Sequence, residues 1–208
     1  MRDDFIKLYN YPIKKCVIIN NPITKSTDDY LTHSKTKNNP LIKFITIGRL
    51  SQEKGHLRIL KEIKKLNFDF QYTIIGTGEL KEIIVNKISE YKLENKVKMI
   101  DHTNNVYSFL EESTLFLQGS YVEGFPNALL EAVSIGIPAI VFEAPGGTKE
   151  IVDHGINGYI VKNDFEYSDI IQKAVKQKWN HLKIIETAQN KFSSKKILGE
   201  YSALFTSV

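Results

Sequence analysis

The chain has 208 residues, 42% hydrophobic and 25% charged, a globular composition that suits one domain or a domain with an appendage. Its net charge of +4 is spread thinly with no dense basic block, which argues against nucleic acid as a partner. Cys16 is the lone cysteine, so an internal disulfide and a cysteine-based zinc site are excluded and a reducing, cytoplasmic setting is natural; no apolar run approaches the roughly 18–20 residues of a membrane span, and the opening MRDDFIKLYN lacks the apolar core of a signal peptide.

Residues 1–40 have an irregular texture. KKCVIINNPI holds a short β-like run over residues 16–20, and the polar, turn-rich TKSTDDYLTHSKTKNNP behind it reads as a loop or linker. After Pro40, short β-branched or aromatic runs alternate with longer helical patterns. Strands are expected in KFITIG, QYTIIG, VKMI, TLFLQ, AIVF and GYIV, and helices in GHLRILKEIKKL, GELKEIIVNKISEYK, NVYSFLEES, NALLEAVSIG and GGTKEIVDHG. In the second of these helices Leu80, Ile83, Ile84, Ile88 and Tyr91 make one apolar face. Several strands are apolar without alternation, as when helices cover both faces of a sheet. This repeated alternation predicts an α/β fold with a doubly wound, Rossmann-like parallel sheet, whose ligands bind beyond the carboxyl ends of the strands. From about Glu166 onward the pattern is helical, over 167–178, 181–192 and 194–205. The expected division is a segment 1–40, an α/β domain 41–165 and C-terminal helices 166–208 packing on it.

The loop TIGRLSQEKGHL follows the first strand. Gly48 permits a tight exit, Arg49 and Lys54 flank the loop, and a helix begins near Gly55. A helix N-terminus carries unpaired N–H groups and partial positive charge. Two cations beside it make a diphosphate site or, equally, a surface salt bridge with a capping glycine. Arginine occurs only at Arg2, Arg49 and Arg58 in a chain that otherwise uses lysine, so Arg49 suits bidentate phosphate geometry. IIGTGEL, after the second strand, reads as a tight turn. In GSYVEGFPNALLEAVSIGIPAI a loop enters a helix for which Pro126 suits the first position, so Asn127, Ala128 and Leu129 offer free N–H groups. Glu123 precedes that turn and Glu131 lies about a turn and a half inside the helix, so both carboxylates can face one crevice. A carboxylate there can accept ribose hydroxyls, or stabilise positive charge at a reacting anomeric carbon. The competing reading is a solvated helix residue and an acid favoured by a helix dipole. Gly146 and Gly147 read as a turn. His33, His56, His102, His154 and His181 are scattered without metal-ligand spacing and read as structural or surface residues. No P-loop, HExxH, GxSxG or DxD motif occurs, so a bound diphosphate would be neutralised by Arg49, Lys54 and helix ends.

GRLSQEKG, IIGTGEL, GSYVEGFPNALLEAVSIGIPAIVF and GGTKEIVDHGINGYIV resemble, in order and spacing, the family 4 glycosyltransferases of the GT-B fold. The likeness runs over residues 41–162, and FSSKKILGEYSALF resembles that family's closing helix. The pairing of E-x7-E, from Glu123 to Glu131, with GRL-x3-KG carries it. The resemblance implies the C-terminal, donor-binding half of a GT-B hexosyltransferase in polysaccharide or glycolipid synthesis, retaining and metal-independent. It implies no cofactor, a UDP-, GDP- or ADP-sugar as donor, and a cytoplasmic location or one at the inner face of the membrane. Arg49 and Lys54 would hold the diphosphate, Glu131 the ribose hydroxyls, and Thr103 the base. Glu123 would be the catalytic carboxylate beside the sugar, with Gly124, Phe125, Asn127, Ala128 and Leu129 around the donor.

Two departures from the family stand out. Asp101 follows VKMI where the family has glycine, at the base-holding end of the site. The chain is also expected to lack the family's N-terminal acceptor domain. It is expected to begin near the interdomain linker, to need that domain in cis or in trans, and to transfer little sugar alone. A non-catalytic nucleotide-sugar-binding module and a GT-B-like epimerase fragment remain alternatives. KAVKQKWNHLKII, with Trp179 among lysines, suits either weak peripheral membrane contact or a packed helix with snorkelling lysines.

Overall fold

A computed structural model of the chain describes Pro12, residues 16–24 and residues 41–206. Its strands β1 (Ile42–Ile47), β2 (Phe70–Ile75), β3 (Val97–Ile100), β4 (Leu115–Gln118), β5 (Ala139–Phe142) and β6 (Gly158–Val161) pair in parallel, in the order β3-β2-β1-β4-β5-β6. Each expected strand segment forms its strand. The near-continuous apolar runs have the expected cause. Successive side chains point to opposite faces, and both faces are covered. Phe44, Leu115, Leu117, Ile140 and Phe142 enter one core, while Ile45, Phe116, Ala139 and Val141 enter the other.

The helices divide between these cores. α1 (His56–Ile63), α2 (Lys81–Glu90) and α6 (Tyr167–Lys176) cover the first. α3 (Val106–Glu112), α4 (Asn127–Ser134), α5 (Thr148–Ile151) and α7 (His181–Phe192) cover the second. α8 (Ser194–Thr206) follows α7 and buries Ile197. Tyr167 stacks on Phe142, with ring centroids 4.1 Å apart and planes 6° apart, and donates its hydroxyl to the Ile140 carbonyl. The first of the C-terminal helices is thereby fixed to the middle of the domain. No helix among the described residues is long and apolar enough to cross a membrane.

Four local expectations need correction. Residues 16–20 form no strand. Their segment runs to the C-terminal helices, where Ile23 donates its N–H to the Phe192 carbonyl and accepts from Ser194 Oγ. The polar stretch 25–40 lies outside the described residues. Ile83 is exposed, because α2 covers the sheet with the narrower stripe Ile84 and Ile88. α6 ends at Lys176 rather than 178, because Gln177 turns extended and the Trp179 indole N–H takes the Ala174 carbonyl at 2.9 Å. That bond, and edge-on packing against Tyr159, turn Trp179 inward. Lastly, α4 starts at Asn127, with Pro126 as the flanking residue just outside it.

Candidate functional site

β1 and β4 are neighbours, but their chains leave in opposite directions, one toward β2 and the other toward β5. Between their carboxyl ends such a reversal opens a crevice. Here it is a cavity of about 260 Å³, lined by the loop after β1, the loop after β4 and the start of α4. Arg49, Lys54, Glu123, Phe125, Asn127 and Ala128 all line it.

Within it Lys54 Nζ donates to both oxygens of Glu123 at 2.8 Å. Ser120 Oγ donates to Oε1 of the same carboxylate at 2.5 Å. Glu123 is only 7% exposed, and these hydrogen bonds offset the cost of burying its carboxylate. Lys54 closes a short 3-10 turn, Gln52–Lys54, directly before α1. Arg49 stands exposed on the rim. Its carbonyl accepts from His56 Nε2 at 2.9 Å, so the imidazole carries its proton on that nitrogen. His56 Nδ1 is buried without a hydrogen-bond partner, and burial, aided by the Lys54 charge, lowers the histidine's pKa.

Close backbone approach shapes the loops. A Cβ on Gly55, which has φ +62°, would meet the Gly119 oxygen at 1.9 Å; one on Gly146, with φ +109°, would meet the Glu123 oxygen at 1.7 Å. The loop after β5 therefore clamps the Glu123 loop. Glu123 N–H donates to the Pro145 carbonyl at 2.9 Å and Gly147 N–H to the Gly124 carbonyl at 2.8 Å. From the other side Arg58 lies between two rings, 3.5 Å from the Phe142 centroid and 4.4 Å from that of Tyr121. It also pairs with Asp164 at 2.7 Å and donates to the Gly119 carbonyl at 3.3 Å.

The start of α4 has no side-chain cap, which leaves first-turn N–H groups of Asn127, Ala128 and Leu129 for an anion. Leu129 offers backbone only, since its side chain is buried. The two glutamates do not share the cavity. Glu131 is half-buried outside it, and burial raises its carboxyl pKa. It faces Tyr107, whose hydroxyl is pushed up to about 12 by burial and by the Glu131 charge. Gly124 is exposed and is not among the lining residues, and Thr103 lies apart in the loop after β3, where its Oγ1 accepts from Asn105 N–H at 3.1 Å. Asp101, at the mouth of β3, pairs with Lys81 at 2.6 Å. Among the described residues no group of three or more His, Cys, Asp or Glu is placed to hold a metal ion.

Ser120, Arg58, His56 and Asn21 carry parts of the site that were not read from the sequence. Asn21 Nδ2 donates to Asn127 Oδ1 at 2.8 Å. Only Arg58 had a signal, the scarcity of arginine among lysines.

The sequence profile of the family described as glycosyl transferases group 1 matches residues 31–191. The chain is 27% identical over 172 residues to the N-acetylgalactosamine-N,N'-diacetylbacillosaminyl-diphospho-undecaprenol 4-alpha-N-acetylgalactosaminyltransferase of Campylobacter jejuni, covering 80% of this chain and 45% of that protein. It is 30% identical over 155 residues to the poly(glycerol-phosphate) alpha-glucosyltransferase of Bacillus subtilis, covering 70% and 22%. The chain thus spans less than half the length of these curated relatives. The Anabaena protein HepE in complex with UDP superposes with a TM-score of 0.86 at 19% identity, over 100% of this chain and 61% of that one. The lipopolysaccharide outer core galactosyltransferase WaaB superposes with a TM-score of 0.83 at 21% identity, over 99% and 59%.

Proposed function

The chain belongs to the glycosyl transferases group 1 family, and from that premise we propose that it forms the donor-binding half of a hexosyltransferase using a nucleoside-diphosphate sugar in polysaccharide or glycolipid synthesis. The observation that carries this reading is the meeting of Lys54 and Glu123 at 2.8 Å, beside Arg49 and the uncapped start of α4. A cation, a buried carboxylate and free N–H groups at a switch point suit a diphosphate joined to a sugar. HepE, of the same fold, is also known in complex with UDP-glucose.

Arg49, Lys54 and the N–H groups of Asn127, Ala128 and Leu129 bind the diphosphate. As the bond from the anomeric carbon to the phosphate oxygen breaks, negative charge collects on the leaving group and positive charge on the sugar. The two cations stabilise the first, and Glu123, the catalytic carboxylate, stabilises the second, with the Gly124 and Phe125 backbone beside the sugar. These protein cations take the part that a metal takes elsewhere. A volume of about 260 Å³ is small for a whole nucleotide sugar. The nucleoside therefore extends along the sheet edge, its ribose at Glu131 and its base toward Thr103. Transfer retains the anomeric configuration, and the acceptor is bound by a partner domain in cis or in trans. The reaction lies in the cytoplasm, at the membrane's inner face where the acceptor is lipid-linked; any membrane contact there is weak and falls to the lysines around Trp179.

Calorimetric titration with UDP, GDP, ADP and their sugar conjugates tests this. One base should bind, and Arg49→Ala and Glu131→Ala should each weaken it by about one to two decades, the loss of a charge-assisted contact of roughly 1.5–3 kcal/mol. Failure of all these ligands to bind would refute the reading.

A further inference from the structure

Glu123 is held by three hydrogen bonds, and they differ in permanence. Lys54 contributes two of them from a side chain that is 29% exposed and borders the cavity. Ser120 contributes the third, to Oε1 at 2.5 Å, from a residue that is 2% exposed. The backbone carrying Ser120 is fixed on both flanks. Gly119 lies against Gly55 too closely for a Cβ on either, with Arg58 donating to its carbonyl. Tyr121 N–H donates to the Glu53 carbonyl at 2.8 Å. The direction of the Ser120 hydroxyl is therefore built into the loop.

Ser120 also lines the cavity, but its hydroxyl is buried and already given to Oε1 of Glu123, so a diphosphate there competes first for the more exposed Lys54. Each ammonium proton turned toward phosphate is withdrawn from the carboxylate. We propose that Ser120 is a positioning residue for recognition of the donor sugar. It holds Oε1 of Glu123 in place while Lys54 moves to the diphosphate, and so leaves Oε2 directed at a sugar hydroxyl. The proposal rests on the donor-site reading above and divides the carboxylate's labour: one oxygen is anchored, the other reads the sugar. Without the Ser120 hydroxyl the carboxylate turns about its broad terminal torsion. The sugar then loses a fixed acceptor, whereas the diphosphate and nucleoside keep all of their contacts.

The test is calorimetric titration with UDP and UDP-glucose, GDP and GDP-mannose, and ADP and ADP-glucose. The proteins are the wild type, Ser120→Ala, Ser120→Thr, Glu123→Gln and the double variant Ser120→Ala/Glu123→Gln. The reading is the affinity for the sugar conjugate relative to that for the diphosphate of the same base. Ser120→Ala should lower this ratio about tenfold, the loss of one charge-assisted hydrogen bond, and leave the diphosphate within about twofold. Ser120→Thr, which keeps the hydroxyl, should restore it, and in the Glu123→Gln background Ser120→Ala should change nothing further. Equal weakening of both ligands, or an unchanged ratio, overturns the proposal and makes Ser120 a loop-packing residue. Thermal unfolding identifies a variant that fails to fold; Ser120→Cys then replaces Ser120→Ala. If the wild type binds none of the six ligands, the donor-site reading itself has failed and this inference falls with it.

Discussion

Asn21 donates its side-chain amide to Asn127 Oδ1 at 2.8 Å, joining a segment that precedes the sheet to the first residue of α4. Two residues on, Ile23 is buried and its backbone is bonded at both ends to the α7–α8 junction. Whatever moves this segment therefore pulls on the helix start proposed to bind the donor. Asn21→Ala should weaken nucleotide-sugar affinity by about threefold to tenfold while changing stability by less than about 1 kcal/mol, since the bond is exposed. Calorimetry and urea unfolding of the same variant separate the two effects.

The pH dependence of donor binding should report Glu131. Burial raises its folded pKa above the ordinary 4.5. Ribose hydroxyls donate to the charged carboxylate, so affinity is full above the raised pKa and falls as the pH drops through it. A nucleotide sugar is the right probe, because its diphosphate lacks the terminal ionisation of a free nucleoside diphosphate. Glu131→Gln should bind more weakly and lose this acid limb; an unaltered pH profile would remove Glu131 from the site.

His56 makes a separate prediction about stability. Its folded pKa lies below the ordinary 6.5 because it is buried, with Lys54 close by. The unfolded chain therefore binds the proton more readily. The stability the neutral imidazole contributes is complete above 6.5 and is lost as the pH falls through the folded pKa. Urea unfolding across that range should show the loss, and His56→Gln should flatten it while being less stable at neutral pH.

Arg58 should matter more to the fold than to ligand affinity. Its stacking on Phe142 and Tyr121 and its partly exposed pair with Asp164 together make Arg58→Ala destabilising by about 2 kcal/mol. Lysine cannot replace a planar group between two rings, so Arg58→Lys should recover little of the loss on thermal or urea unfolding.

Gly146→Ala places a Cβ against the Glu123 carbonyl at a backbone angle that alanine rarely adopts. It should cost at least about 2 kcal/mol and disturb the Lys54–Glu123 contact. Loss of sugar-nucleotide binding in a variant that still folds would locate the damage at the loop. Native-like binding would mean that the clamp is unimportant.

Incubated with a radiolabelled nucleotide sugar and a panel of polysaccharide and glycolipid acceptors, the chain alone should bind donor and transfer little. Robust transfer would overturn the proposal that a partner domain completes the active site.

Much of the fold was legible because its physics is local and repeated. Strands buried on both faces leave near-continuous apolar runs, as in TLFLQ and AIVF, whose strands are buried throughout, whereas KFITIG and QYTIIG keep Lys43, Thr46, Gln71 and Thr73 among their apolar residues. The C-terminal helices announced themselves by their apolar period, although the end of α6 depends on a Trp179 bond that no periodicity encodes. Ile83, read as part of the apolar face of α2, is exposed because an amphipathic pattern does not reveal how wide a stripe the neighbouring sheet can cover. At the site, residue type was a better guide than placement. Arg49, Lys54, Glu123 and the α4 start were all marked by charge or by helix chemistry. Their convergence requires β1 and β4 to be neighbours, although their ends are separated by some seventy residues of chain.

The sequence by itself determined the alternation of strands and helices, the handful of ionic residues at strand ends and the loops that hold them, because each is written in spacing and side-chain chemistry. Only the tertiary structure decided that Lys54 and Glu123 neutralise each other, that Ser120 anchors one carboxylate oxygen, and that Glu131 stands outside the cavity beside Tyr107. These relations depend on angles between loops from different strands. Such angles are set where backbones meet, as Gly55 meets Gly119 and Gly146 meets Glu123, and a contact between distant segments leaves no period in a sequence.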